Sequence, residues 1–145
     1  MNYYDARETR YPLDRERELL ARLPKQVAHA KAHAPAFAAL LADVNPAAIV
    51  SREALAGLPV VRKSELLELQ KGARPFGGFA ALKWGTGCAR VFASPGPIYE
   101  PEGARKDYWR LARAFYAAGF RAGDLVHNTF SYHFTPAGSM TETAA

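Results

Sequence analysis

A single cysteine, Cys88, in 145 residues excludes an internal disulfide and any zinc cluster built from several cysteines. No apolar run is long enough to cross a bilayer, so no membrane is expected as a partner. The opening "MNYYDARETRYPLDRERE" is polar and charged, without the apolar core of a secretory signal. Acidic residues are the scarcer sign, 14 against 19 Lys and Arg, for a formal net charge of +5. That balance suits anionic partners such as a nucleotide, coenzyme A or an acidic protein. No long basic run concentrates it, so it reads as a solvated basic surface, with nucleic acid not expected. Internal repeats and low-complexity tracts are also missing. A cytoplasmic, soluble, globular chain is the expectation that remains.

What is present supports a core. Hydrophobic residues make up 49% and charged residues 23% of the chain, ordinary values for a folded domain. Asp14 opens a helical pattern with Leu19, Leu20 and Leu23 on one side, and Pro24 suits the first turn of a second helix interrupted near Pro35. Asn45-Pro46 reads as a turn and Ser51 as the N-cap of a short helix. "LPVVRKSELLELQKG" predicts an extended Leu58–Val61, then a helix from about Ser64 to Lys71 closed by Gly72. Residues 72–88 are glycine-rich loop.

The second half changes character at Arg90–Trp109, "RVFASPGPIYEPEGARKDYW". A strand, Arg90–Ala93, stops at Ser94, and three prolines and two glycines follow within ten residues. A helix is expected at about Ala104–Ala118, with Trp109, Phe115 and Tyr116 on its apolar side and Arg110 and Arg113 facing outward. A second strand follows at Asp124–Phe130. Strand, helix, strand predicts an α/β fold: a helical N-terminal region, then the start of a parallel β-sheet with a crossover helix. The expected domains are a helical N-terminal subdomain at 1–72 and the incomplete beginning of an α/β domain at 73–145. Two strands leave faces and edges that need partners, so a homodimer or a partner chain completing the sheet is expected.

Several stretches taken together carry a resemblance. "YYD…ETR", "LPVVRKSELLE", "VFASPGP" and "AFYAAGFRAGDLVHNTFSYHFTPAG" resemble the N-terminal portion of phenylacetate–coenzyme A ligase-like enzymes. These belong to the adenylate-forming (AMP-binding) acyl-CoA synthetase superfamily. The likeness runs over nearly the whole chain, which is about the first third of such an enzyme. It implies ATP, coenzyme A and Mg2+ as cofactors and a small aryl or acyl carboxylate as substrate. The carboxylate attacks the α-phosphate of ATP, and the thiol of coenzyme A then displaces AMP. The ribose-binding, metal-binding and lysine-bearing segments of the family are missing here. The expectation is therefore a truncated N-terminal part of an acid–CoA ligase, inactive as this chain alone. The alternative is a non-catalytic nucleotide- or protein-binding assembly module on the same scaffold.

Two groups of candidate binding residues follow from the resemblance. Aligned on its strand, the family's phosphate loop falls on Ser94 and Gly96, with Tyr99 or Arg105 assisting. Pro95 and Pro97 have no N–H to give a phosphate, so a weakened nucleotide contact stands beside a purely structural turn. Tyr132, His133 and Phe134 fall where the superfamily lines its acyl pocket; the other reading makes Tyr132 and Phe134 core aromatics. No catalytic residue and no metal ligand is assigned. His29 and His33, four apart, have a spacing compatible with a metal but no third ligand beside them, so they read as a solvated helix face. Cys88 has no base in view, and His127 reads as structural within its strand.

Overall fold

The computed structural model describes residues 2–145. Contacts divide the chain into two compact units: Arg10–Leu82, and Lys83–Ala145 together with the stretch ending at Thr9.

The Arg10–Leu82 unit is helical. Its α1 spans Pro12–His33, α2 Pro35–Leu40, α3 Arg52–Ala56 and α4 Lys63–Gly72. Pro12 occupies the first turn of α1, where its missing donor costs nothing. The expected break at Pro24 does not occur; α1 runs through it. Leu23 and Val27 continue one apolar stripe across the proline into the core, and that burial offsets the lost hydrogen bond. The break comes at Ala34-Pro35 instead. Ala34 is extended (φ −126°, ψ 106°), as a residue before proline must be, and Pro35 starts α2.

Val27, Leu41 and Ile49 are buried together, with Leu23, Phe37, Val44, Ala54 and Leu58 packed against them. The Lys31 ammonium donates to the carbonyls of Ala42 and Val44 at 3.1 and 2.7 Å, closing the end of α2. Ser51 caps α3, its Oγ accepting from the Ala54 amide at 3.1 Å. Glu65, in the first turn of α4, accepts from the Arg62 amide at 3.2 Å. The expected extended piece Leu58–Val61 forms no strand.

In the other unit, β1 (Arg90–Ser94) pairs with β2 (Ile98–Glu102) as an antiparallel hairpin, with Phe92 opposite Glu100 and Ser94 opposite Ile98. The parallel ladder expected from the sequence is corrected here. A three-residue turn can reverse a chain, whereas a parallel partner needs a crossover of a dozen residues or more. Pro101 is compatible with β2 because that strand pairs on one side only. The expected strand at Asp124–Phe130 is not paired with any described strand.

The crossover helix is also shorter than expected: α5 spans only Ala112–Ala117. Asp107 and Arg110 sit at φ 45° and 61°, which no helix accommodates. Asp107 Oδ1 instead accepts from the amides of Leu111 and Ala112 at 2.8 and 3.3 Å and starts α5 there. The final α6 spans Ala137–Ala144. Among the described residues no helix is long and apolar enough to cross a membrane.

Candidate functional site

The hairpin turn is the first sequence-named group. Ser94 and Ile98 face each other, and the Ser94 hydroxyl donates to the Ile98 carbonyl at 3.3 Å. Between them Gly96 adopts φ +144°, a conformation L side chains rarely take. Pro95 and Pro97 flank it, so Gly96 supplies the only N–H among the three turn residues. The chain continues into a second strand, not a helix. By topology this is a hairpin turn rather than a phosphate loop at a helix start. Tyr99 lies on β2 opposite Ala93 and is half-buried. Arg105 stays local, donating to the Tyr108 carbonyl at 3.2 Å with its guanidinium over the Tyr108 ring.

The second group lies against the first. The Ala93 amide points away from β2 and donates to the Phe134 carbonyl at 2.7 Å. That bond fixes Phe134 of the Ser131–Pro136 segment at the free edge of β1. The segment holds its shape through its own bonds. Ser131 Oγ is 2.9 Å from His133 Nδ1 and accepts from the His133 amide at 3.2 Å. Asn128 Nδ2 donates to the Tyr132 hydroxyl at 2.8 Å and to the Gly138 carbonyl at 3.0 Å. The core-aromatic reading is overturned: Tyr132 is 51% and Phe134 78% exposed. Both rings present apolar surface beside the hairpin.

A third group was not legible in the sequence. Glu102, at the end of β2, is 3% exposed. Its carboxylate accepts from the Trp109 indole and from Arg90 Nη1, each at 2.6 Å, and from the Ser139 hydroxyl at 3.1 Å. Arg90 also donates to Ser139 Oγ at 3.0 Å. The carboxylate thus ties the open end of the hairpin, where Arg90 faces Glu102, to the start of α6 and to Trp109. A spacing rule has no hold on four residues so far apart in the chain. Beside it, burial pushes the Tyr108 phenol up.

The remaining sequence-named residues stay outside this cluster. The Cys88 thiol donates to the Arg90 carbonyl at 3.3 Å. Arg113, expected to face outward, instead binds Asp5 and Glu8 of the N-terminal segment. Tyr4 packs edge-on to Tyr116 at 5.6 Å, under the Arg113 guanidinium. A cavity of about 380 Å³ lies next to this contact, lined by Phe115, Tyr116, Phe120 and Arg121 among others. Among the described residues no group of three or more His, Cys, Asp or Glu is placed to hold a metal ion.

Comparison with known proteins rests on structure. No protein-family model matches the chain, and no curated protein does. Two crystal structures of 2-hydroxyisobutyryl-CoA ligase, both in the postadenylation state, are similar to it. The one in complex with 2-HIB-AMP has a TM-score of 0.84 and 23% identity, over 99% of this chain and 33% of that one. The one in complex with R3-HIB-AMP has a TM-score of 0.79 and 27% identity, over 94% of this chain and 30% of that one. The fold is that of part of an adenylate-forming enzyme. The chain spans about a third of the length of these ligases.

Proposed function

We propose that the chain is the N-terminal part of an ATP-dependent aryl- or acyl-CoA ligase of the phenylacetate–CoA ligase-like kind. The observation that carries this is the fold likeness, a TM-score of 0.84 over 99% of the chain, to a ligase bound to an acyl-adenylate. The family-like phrases noted in the sequence agree with it.

Within that reading, Tyr132, His133 and Phe134 contribute to the acid pocket. Two exposed rings give apolar walls for the body of a carboxylic acid, and an imidazole oriented by Ser131 gives a polar contact. Ser94, Gly96 and Tyr99 are the nucleotide contacts. Their geometry fits one amide and one phenol against a nucleotide, and does not fit a cradle around a triphosphate. Mg2+, which takes one or two carboxylates together with substrate phosphates, enters with the whole ligase. Coenzyme A and the acid enter only with the whole ligase. Activation of a carboxylate by this chain alone is not expected. ATP–pyrophosphate exchange with aryl and short acyl acids tests this: the chain should give none, and robust exchange would overturn that expectation.

A second reading has its own observation. Residues 124–130 have strand composition, yet no described strand pairs with them and Leu125 is fully exposed. An assembly module that accepts a partner strand, from a second copy or another chain, accounts for that. Light scattering separates the readings, since a well-behaved monomer counts against assembly.

A further inference from the structure

Neither reading uses two imidazoles on α1. His29 and His33 are both exposed and stand one turn apart, their ring centroids 4.5 Å from each other and tilted by 46°. On a helix the i and i+4 positions share a face, and that separation lets one ring nitrogen of each meet the same ion. Alanines at 28, 30 and 32 leave the pair unshielded. Lys31, the cation between them in sequence, has its ammonium committed to the Ala42 and Val44 carbonyls. Lys25 is the charged side chain one turn earlier on the same stripe.

We propose that His29 and His33 form an exposed bidentate site for a borderline transition-metal ion, of the Ni2+, Cu2+ and Zn2+ class. Imidazole selects these ions over the hard cations Mg2+ and Ca2+, which prefer carboxylate and carbonyl oxygen. No larger donor group is available among the described residues, so water completes the coordination sphere. The bound ion clips the last turn of α1 just before the Ala34-Pro35 break. Binding to the folded helix then raises thermal stability by mass action.

Ni2+ is the probe, since it leaves the Cys88 thiol unoxidised. NiCl2 is titrated calorimetrically into the full chain and into His29→Ala, His33→Ala and His127→Ala. Alanine is the best helix former, so the first two variants keep α1, which far-UV circular dichroism verifies. The expected result is one Ni2+ per chain and affinity weakened roughly tenfold or more in each α1 variant. His127→Ala should match the parent, MgCl2 should give no binding, and Ni2+ should raise Tm in the parent and His127→Ala but in neither α1 variant. No Ni2+ uptake by the parent, or equal affinity in His29→Ala, overturns the site.

Discussion

The Ala93 amide donates to the carbonyl of Phe134 at 2.7 Å, and this bond makes neighbours of two regions that are far apart in sequence. Ser94 ends the strand that offers the amide, and Tyr132–Phe134 form the segment that accepts it. Under the proposed function this bond sets the proposed nucleotide contact beside the proposed acid pocket, as attack of the acid on the α-phosphate would require.

Gly138 lies where the Ser131–Pro136 segment folds back on α6. A Cβ built there would meet the Ser131 carbonyl oxygen at 2.6 Å, a backbone atom that cannot rotate away. Gly138→Ala should cost about 2 kcal/mol, the overpacking range, and displace Tyr132. Urea unfolding followed by tryptophan fluorescence measures the cost. A variant as stable as the parent would show that the close approach is absent.

Glu102→Ala should destabilise the hairpin by about 2 kcal/mol, since it strands the Trp109 indole and the Ser139 hydroxyl. Arg90 is 56% exposed along its side chain, so water takes over its share and the loss stays below that of a fully buried ion pair. Glu102→Gln keeps an acceptor and should lose less. The Trp109 emission of the two variants reports whether the indole is released. Equal stability of Glu102→Ala and the parent would remove Glu102 from the organisation of this unit.

The hydrogen bond from Arg113 holds the Asp5 carboxyl below the ordinary carboxylate range. A carboxyl depressed in the folded state contributes stability above its unfolded value, near 4. That contribution is lost as the pH falls through the lower folded value. The N-terminal segment should therefore stay on α5 at neutral pH and loosen below about pH 4. The ring resonances of Tyr4, packed on Tyr116, follow this directly. In Asp5→Asn the step should vanish, and a step persisting unchanged in that variant would assign it to another group.

Lys31→Met should destabilise the helical unit by about 1 kcal/mol, because the Ala42 and Val44 carbonyls lose a charged donor. Lys31→Arg should recover part of that loss. Urea titration monitored by far-UV circular dichroism compares them; a neutral Lys31→Met would mean water serves those carbonyls equally well.

Where the sequence was readable, short-range sterics were at work. Ser51 was legible as a cap because a hydroxyl in that position reaches its own helix amides. The α4 helix, expected over Ser64–Lys71 and found at Lys63–Gly72, carries its own start and stop. The interruption at Pro35 follows from what proline does to the residue before it. The helical first half and strand-bearing second half were visible for the same reason, and so was the resemblance whose fold the comparison supports.

Tertiary structure alone decided the rest. Pro24 could not announce that burial of Val27 would carry α1 through it. The pairing of β1 depended on Ile98–Glu102, whose proline and two glutamates disguise a strand. The start of α5 was fixed by Asp107 and Arg110 in left-handed conformations, beside a Trp109 drawn to Glu102. Steric rules act over a few residues and leave a mark in any short window of sequence. Hydrogen bonds such as Ala93 to Phe134 and Ser139 to Glu102 join groups that only the folded chain brings within reach.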